Sequence, residues 1–129
     1  MAGEELLRTG AGAAPWPTEL RVDAARSALS ITFDNGERFS LPAEYLRVES
    51  PSAEVQGHSA AQKQTVAGKR HVKIVSVEPV GNYAARVIFD DGHDTGLYSW
   101  DYLRELGRDQ NTKWAAYLSS LRKGGAKRE

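Results

Sequence analysis

Apolar and polar positions alternate in two separated stretches of this chain. Leu29, Ile31 and Phe33 alternate with polar residues, and Ala85, Val87 and Phe89 share one parity with Arg86 intervening. A period of two with one apolar face predicts a half-buried β-strand. Each stretch runs into a hairpin dipeptide, Asn35-Gly36 or Asp91-Gly92. These residues suit the φ > 0 positions of tight turns. The two stretches are also copies. Ala28-Leu29-Ser30-Ile31-Thr32-Phe33-Asp34-Asn35-Gly36 matches Ala84-Ala85-Arg86-Val87-Ile88-Phe89-Asp90-Asp91-Gly92 at a spacing of 56, and Tyr45-Leu46-Arg47 matches Tyr102-Leu103-Arg104 at 57. A strand is expected before each copy, over residues 20–23 and 72–78, with Pro79 closing the second and Gly81-Asn82 turning the chain.

Helical spacing takes over towards the C-terminus. Ser99 can cap a helix over residues 100–106, with Asp101 in its first turn and Gly107 as its stop. Asn111 can cap another, in which Trp114, Tyr117, Leu118 and Leu121 recur on one face before Gly124. The expected fold class is therefore α+β: duplicated antiparallel β-hairpin units with two C-terminal helices. Residues 17–123 read as one domain, and residues 1–16 and 124–129 as disordered tails, with Trp16 tacked onto the core. Between the copies, residues 50–71 are polar, with Val55 and Val66 as their only larger apolar residues. Connections that long inside a compact domain are usually functional or disordered.

The chain's 129 residues suit one core, and Lys+Arg and Asp+Glu both number 17. With no basic excess, a generic grip on nucleic acid is not expected. The absence of cysteine excludes disulfides, thiolate catalysis and thiolate metal sites. No apolar run approaches the ~20 residues of a membrane span, and acidic Glu4 and Glu5 do not suit a signal peptide. The expected location is cytoplasmic, with no membrane partner.

Chemistry is concentrated in Asp90-Asp91-Gly92-His93-Asp94, where three carboxylates and an imidazole could bind a cation or move protons. The corresponding Asp34-Asn35-Gly36-Glu37 makes the same turn without histidine, so only His93 is left unexplained by turn chemistry. His58, His71 and His93 match no compact zinc spacing. No G-x-S-x-G, H-E-x-x-H, Walker or G-x-G-x-x-G motif occurs. The aromatics Tyr98, Trp100, Tyr102, Trp114 and Tyr117 can form core or a binding platform, according to which way each faces.

Three stretches carry a family resemblance: Leu46-Arg47-Val48-Glu49-Ser50-Pro51-Ser52-Ala53-Glu54-Val55-Gln56-Gly57-His58, Glu78-Pro79-Val80-Gly81-Asn82-Tyr83-Ala84, and Phe89-Asp90-Asp91-Gly92-His93-Asp94-Thr95-Gly96-Leu97-Tyr98-Ser99-Trp100. Together they resemble a bacterial family of unknown function that is similar to the N-terminal domain of γ-butyrobetaine hydroxylase. The resemblance implies a β-rich α+β domain. In the hydroxylases a similar domain holds a structural zinc through three cysteines and a histidine. The histidine's place is His93, and Ser50, Ser52 and Val55 stand at the cysteine places. Hydroxyl and alkyl groups do not replace thiolates on zinc, so no cofactor is expected, with zinc as the alternative. The catalytic facial triad has no counterpart. Similar domains are also joined to P-loop ATPases that look like iron–sulfur cluster carriers, which suggests a protein partner in iron–sulfur or iron-dependent enzyme systems.

The expected function is a stand-alone, non-catalytic interaction module. Its binding face would combine residues 50–71 with the turn at 91–98, through Glu54, Gln56, His58, Asp91, His93, Tyr98 and Trp100. One alternative is a metal-binding domain using His93 and His58. The other is an enzyme with an unrecognised site.

Overall fold

The computed structural model describes residues 15–57 and 63–129. Strands β1 (Pro17–Val22), β2 (Ala28–Phe33) and β3 (Arg38–Pro42) form one antiparallel sheet in the order β1-β2-β3. It is followed by helix α1 (Ala43–Val48) and the single turn α2 (Ala53–Gln56). Strands β4 (Ile74–Val80), β5 (Ala84–Phe89) and β6 (Gly96–Ser99) form the second sheet, β4-β5-β6, and α3 (Trp100–Arg108) and α4 (Gln110–Lys123) complete the chain. The α+β class and the paired hairpin units are as the alternation predicts.

The two units agree bond for bond. Phe33 N–H donates to the Glu37 carbonyl at 2.8 Å, and Phe89 N–H to that of His93 at 3.0 Å. Gly36 and Gly92 both sit at φ 91°, a left-handed conformation that disfavours any residue with a Cβ. The side chain before each glycine accepts the amide two residues on: Asn35 Oδ1 from Glu37 N–H and Asp91 Oδ1 from His93 N–H, each at 3.0 Å. Even the irregularities repeat. A register shift follows Pro17 in β1, opposite Phe33, and another follows Ile74 in β4, opposite Phe89.

The units also hold each other reciprocally. Tyr45 O–H donates to the Leu106 carbonyl at 2.7 Å, and Tyr102 O–H to that of Glu49 at 2.6 Å. Leu106 lies four residues after Tyr102, and Glu49 four after Tyr45. Burial pushes both phenols well above their ordinary pKa, with Glu49 adding to the effect, so both remain donors. Arg47 crosses from the first unit to Asp91 at 2.8 Å, and Arg104 crosses from the second to Glu37. Side chains from both units therefore fill one core, in which Leu29, Ile31, Phe33, Ile74, Val87 and Phe89 are all buried. Each such side chain contributes roughly 1.5–3 kcal/mol.

Several boundaries differ from the sequence reading. Strand β1 runs Pro17–Val22 rather than 20–23, and β4 runs Ile74–Val80 rather than 72–78. Pro79 does not close β4 but pairs with Ala85. An outer strand tolerates proline because its missing N–H need not face a neighbour. Gly107 lies inside α3 instead of stopping it. A Cβ there would stand 2.3 Å from Phe39 Cγ, so the glycine serves helix–sheet contact rather than termination. Helix α4 starts at Gln110, one residue before the expected cap Asn111. The C-terminal residues, read as a disordered tail, are hydrogen-bonded: the Lys127 and Arg128 carbonyls accept from Gly68 and Arg70.

Candidate functional site

Helix α1 is short because the chain prepares for Pro51. Proline disfavours helical backbone in the residue before it, so the helix ends ahead of Ser50. The segment after it turns across the end of the second hairpin. Val55 fixes it there with 2 % exposure, and Gln56 Nε2 donates back to the Ser50 carbonyl at 2.8 Å. Residues 50–57 are thus more firmly anchored than their composition predicts, because one valine and two serines are buried.

His93 faces this segment from the hairpin. Its Nε2 is hydrogen-bonded to Ser50 Oγ at 2.8 Å and lies 3.5 Å from Ser52 Oγ, while its ring leans on Phe89. Ser50 Oγ also accepts the Ser52 amide at 3.3 Å. Burial, then the nearby Arg47 cation, holds the imidazole below its ordinary pKa, favouring the neutral ring. Gly96 makes this approach possible, since a Cβ there would be 2.7 Å from Ser50 Oγ.

Asp91 carries the charge of the site. Arg47 Nε and Lys69 Nζ both contact its Oδ2, at 2.8 and 2.6 Å. Burial alone would raise this carboxyl, but hydrogen bonds from Lys69, the His93 amide and Arg47 outweigh it and hold Asp91 at about 2. Two cations share one carboxylate, and among the described residues Arg47 Nη1 is buried without a hydrogen-bond partner.

The expected contact residues separate into three groups. Glu54 is exposed and Gln56 half-buried, and Glu54 Oε1 accepts from Thr95 Oγ1 at 2.8 Å, joining α2 to the hairpin. Asp91 and His93 are close to this edge but occupied internally. Tyr98 is no surface contact: it is fully buried and donates to the Leu46 carbonyl. An alternating strand sends it inward beside the equally buried Ala85, its register partner. Trp100 packs against the core and donates its indole N–H to the Asn82 carbonyl at 2.8 Å. His58 lies outside the described residues, and His71 is exposed. Arg47, Lys69, Thr95 and Gly96 were missed. The repeat of Tyr-Leu-Arg was the available signal for Arg47, since a duplicated arginine invites a duplicated partner.

The family model for "Gamma-butyrobetaine hydroxylase-like, N-terminal" matches residues 20–104. This chain belongs to that family. Two solution structures are similar to it. One is 47 % identical, covering 94 % of this chain and 90 % of that one with a TM-score of 0.79. The other is 43 % identical, covering 89 % and 90 %, with a TM-score of 0.77. A crystal structure of a protein of unknown function in the DUF971 family, from Acidithiobacillus ferrooxidans, is 40 % identical. It covers 70 % of this chain and 91 % of that one, with a TM-score of 0.59. No curated protein matches.

The zinc that the resemblance to the hydroxylases implies can be tested against the donors at its place. Ser50 and Ser52 gather on His93, and Val55 is buried in the same segment. The imidazole nitrogen that faces the group is held by a hydroxyl, and no thiolate is present. This donor set does not fit zinc. Among the described residues, no three His, Cys, Asp or Glu side chains gather as a metal-binding group. The serine–histidine pair also has nucleophile–base geometry, but Ser50 has no exposed surface and leaves no room for a substrate carbonyl. Among the described residues, no helix is long and apolar enough to cross a membrane.

Proposed function

We propose that the chain is a non-catalytic docking module for a protein partner, with its contact face on the edge formed by α2 and the β5–β6 hairpin. The observation that carries this reading is the Glu54–Thr95 hydrogen bond, which joins two exposed residues 41 positions apart. Together with the Ser50–His93 link beneath, it preforms a composite edge, and preformed surfaces bind without an ordering cost.

The edge continues onto the outer face of the second sheet. There Glu78, Arg86 and Leu97 lie in register. Arg86 bonds Glu78 and approaches Asp94, and Leu97 is 43 % exposed. The corresponding row of the first sheet, Arg21, Ser30 and Ser40, is wholly polar. A mixed apolar–polar face suits protein contact better than a uniformly hydrated one. The domain company of the family points to iron–sulfur or iron-dependent enzyme systems as the setting.

Affinity capture from native lysate tests the reading. Glu54→Lys combined with Leu97→Asp should lose partners that the parent chain retains, while Ser30→Arg on the first sheet should keep them. Circular dichroism must show all three variants folded. Equal capture by the edge variant and the parent would overturn the proposal.

A further inference from the structure

We propose that the outer edge of β1 is a dimerisation edge, paired antiparallel with β1 of a second copy of this chain about a two-fold axis at Leu20. The pairing joins the two first sheets into one, in the order β3-β2-β1-β1-β2-β3. It uses the edge of that sheet rather than its hydrated face, and does not depend on the α2 edge proposed above.

Strand β1 is the outer strand of its sheet and pairs with β2 on one side only. Asp23 N–H donates to the Ala28 carbonyl at 3.2 Å, and residues 19–22 pair with β2 without a register shift. Antiparallel strands turn alternate residues towards each other. Arg21 and Glu19 therefore face β2, and Leu20 and Val22 point their N–H and C=O groups outward. Among the described residues no hydrogen bond reaches these outward groups. The corresponding strand of the second unit is guarded. Arg26, at φ 59°, accepts from Ile74 N–H at 2.8 Å and donates Nη1 to the Val75 carbonyl at 2.7 Å. Pro79, which corresponds to Val22 at a spacing of 57, has no N–H to offer. An open edge is a template for another strand, and a proline or a covering group prevents the pairing. Strand β4 carries both devices, and residues 19–22 of β1 carry neither.

The side chains of the edge make a second copy its fitting partner. With the axis at Leu20, Glu19 stands opposite the partner's Arg21, and Arg21 opposite the partner's Glu19. Within one chain Arg21 Nη2 already meets Glu19 Oε2 at 2.7 Å, and both side chains are exposed. The axis closes these four groups into a ring of alternating charge with no like charges directly opposed. Leu20 and the partner's Leu20 exchange their outward backbone bonds. Glu19 and Arg21 then fall in the non-hydrogen-bonded pairs, where cross-strand side chains stand closer. Charge also selects the register. Moving the axis by one residue sets Arg21 against the partner's Arg21, or Glu19 against the partner's Glu19. On the opposite face Leu20 and Val22 are half-buried against the core, and the pairing covers apolar surface that they still show.

Sedimentation of the full chain from micromolar to millimolar concentration tests the proposal. The parent should show reversible monomer–dimer exchange. In ¹⁵N spectra the Leu20 and Val22 amides should move with concentration, while that of Val77, the counterpart of Leu20, stays fixed. Arg21→Glu sets carboxylates opposite each other in two pairs and should raise the dimer Kd about tenfold or more. Adding Glu19→Arg to it restores the complementarity and should bring Kd back to within about threefold of the parent. Val22→Pro copies β4 and should leave a monomer. A monomer at every concentration, a dimer indifferent to Arg21→Glu, or no recovery in the double reversal would overturn the proposal. Protection of the Leu20 amide that does not change on dilution would place the edge's partner within the chain and overturn it too. If circular dichroism shows Arg21→Glu unfolded, Val22→Pro carries the test, and a dimer as tight as the parent's sinks the idea.

Discussion

The ends of the two hairpins carry different chemistry on the same backbone frame. At the first end, Phe39 packs against Gly107 and Glu37 meets Arg104 in a half-buried pair. At the second, Gly96 packs against Ser50, and His93 and Asp91 turn inward onto Ser50, Arg47 and Lys69. The residues correspond in pairs: Phe39 with Gly96 and Ser50 with Gly107 are both spaced 57, and Glu37 with His93 is spaced 56. One contact between a hairpin and the opposite unit has therefore been filled in two ways. A ring against glycine completes the core. A glycine against serine leaves space that a polar cluster occupies. Duplication lets one end keep the frame while the other changes its chemistry, and the changed end carries the candidate site.

The largest test of that comparison replaces each glycine with alanine. At Gly107 the added Cβ meets three Phe39 ring atoms between 2.3 and 2.7 Å, and the ring root cannot swing aside cheaply. Gly107→Ala should cost about 2–3 kcal/mol in urea denaturation, despite the gain in helix propensity. Gly96→Ala meets the Ser50 hydroxyl at 2.7 Å and the edge of the Tyr98 ring at 3.0 Å, one ring atom rather than three, and should cost about 1–2 kcal/mol. Phe39→Leu should relieve the first variant and leave the second unchanged. Failure of that selective rescue would break the pairing.

The arginines give a smaller contrast. Arg47→Met removes a partner from Asp91 inside the second end, but Lys69 remains on the same oxygen, so the cost should be about 1–2 kcal/mol rather than that of a fully broken buried pair. Arg104→Met breaks a pair that is more exposed to solvent than Arg47–Asp91 and should move the denaturation midpoint less. Equal shifts would show that the two ends are electrostatically alike.

Much of this frame was legible in the chain itself. Alternation and the Asn-Gly and Asp-Gly turns act locally, so Phe33 and Phe89 could be placed in one core and the hairpins centred correctly. The displaced boundaries of β1 and β4 depend on register shifts that pairing with β2 and β5 imposes, and a single strand's pattern does not contain them. Gly107 reads as a helix stop because a close approach by Phe39, 68 positions away, leaves no local trace. At the site, Glu54 and Gln56 stand out in sequence as polar residues beside turn-forming Pro51 and Gly57, and Asp91 and His93 as the chemistry of the second turn. Tyr98 reads as a contact from its aromatic character, whereas the parity of its strand turns it inward. Lys69 and Arg128 escaped notice because both act through contacts distant in sequence within polar stretches that look solvated.

Acid titration offers the finest distinction between the ends. Asp91 and Glu37 are both held below their ordinary carboxylate values, Asp91 at about 2 against 3.8. Each therefore adds stability above its unfolded pKa that is lost as pH falls through the folded one. For Asp91 the window runs from about 4 down to about 2, and Asp91→Asn should remove that part of the slope. His93 acts at higher pH and only at the second end. Its folded pKa lies below the ordinary 6.5, so the unfolded chain takes up the proton first. Stability should be full above about 6.5 and decline as pH drops below it, ahead of any carboxylate effect. His93→Gln keeps hydrogen-bonding capacity near Ser50 without titrating there, and should flatten this early decline while leaving the Asp91 step intact. Denaturation midpoints collected across the mildly acidic range would read the difference directly. An unchanged slope in His93→Gln would mean that the imbalance between the hairpin ends lies in packing, with the imidazole taking no part in the pH response.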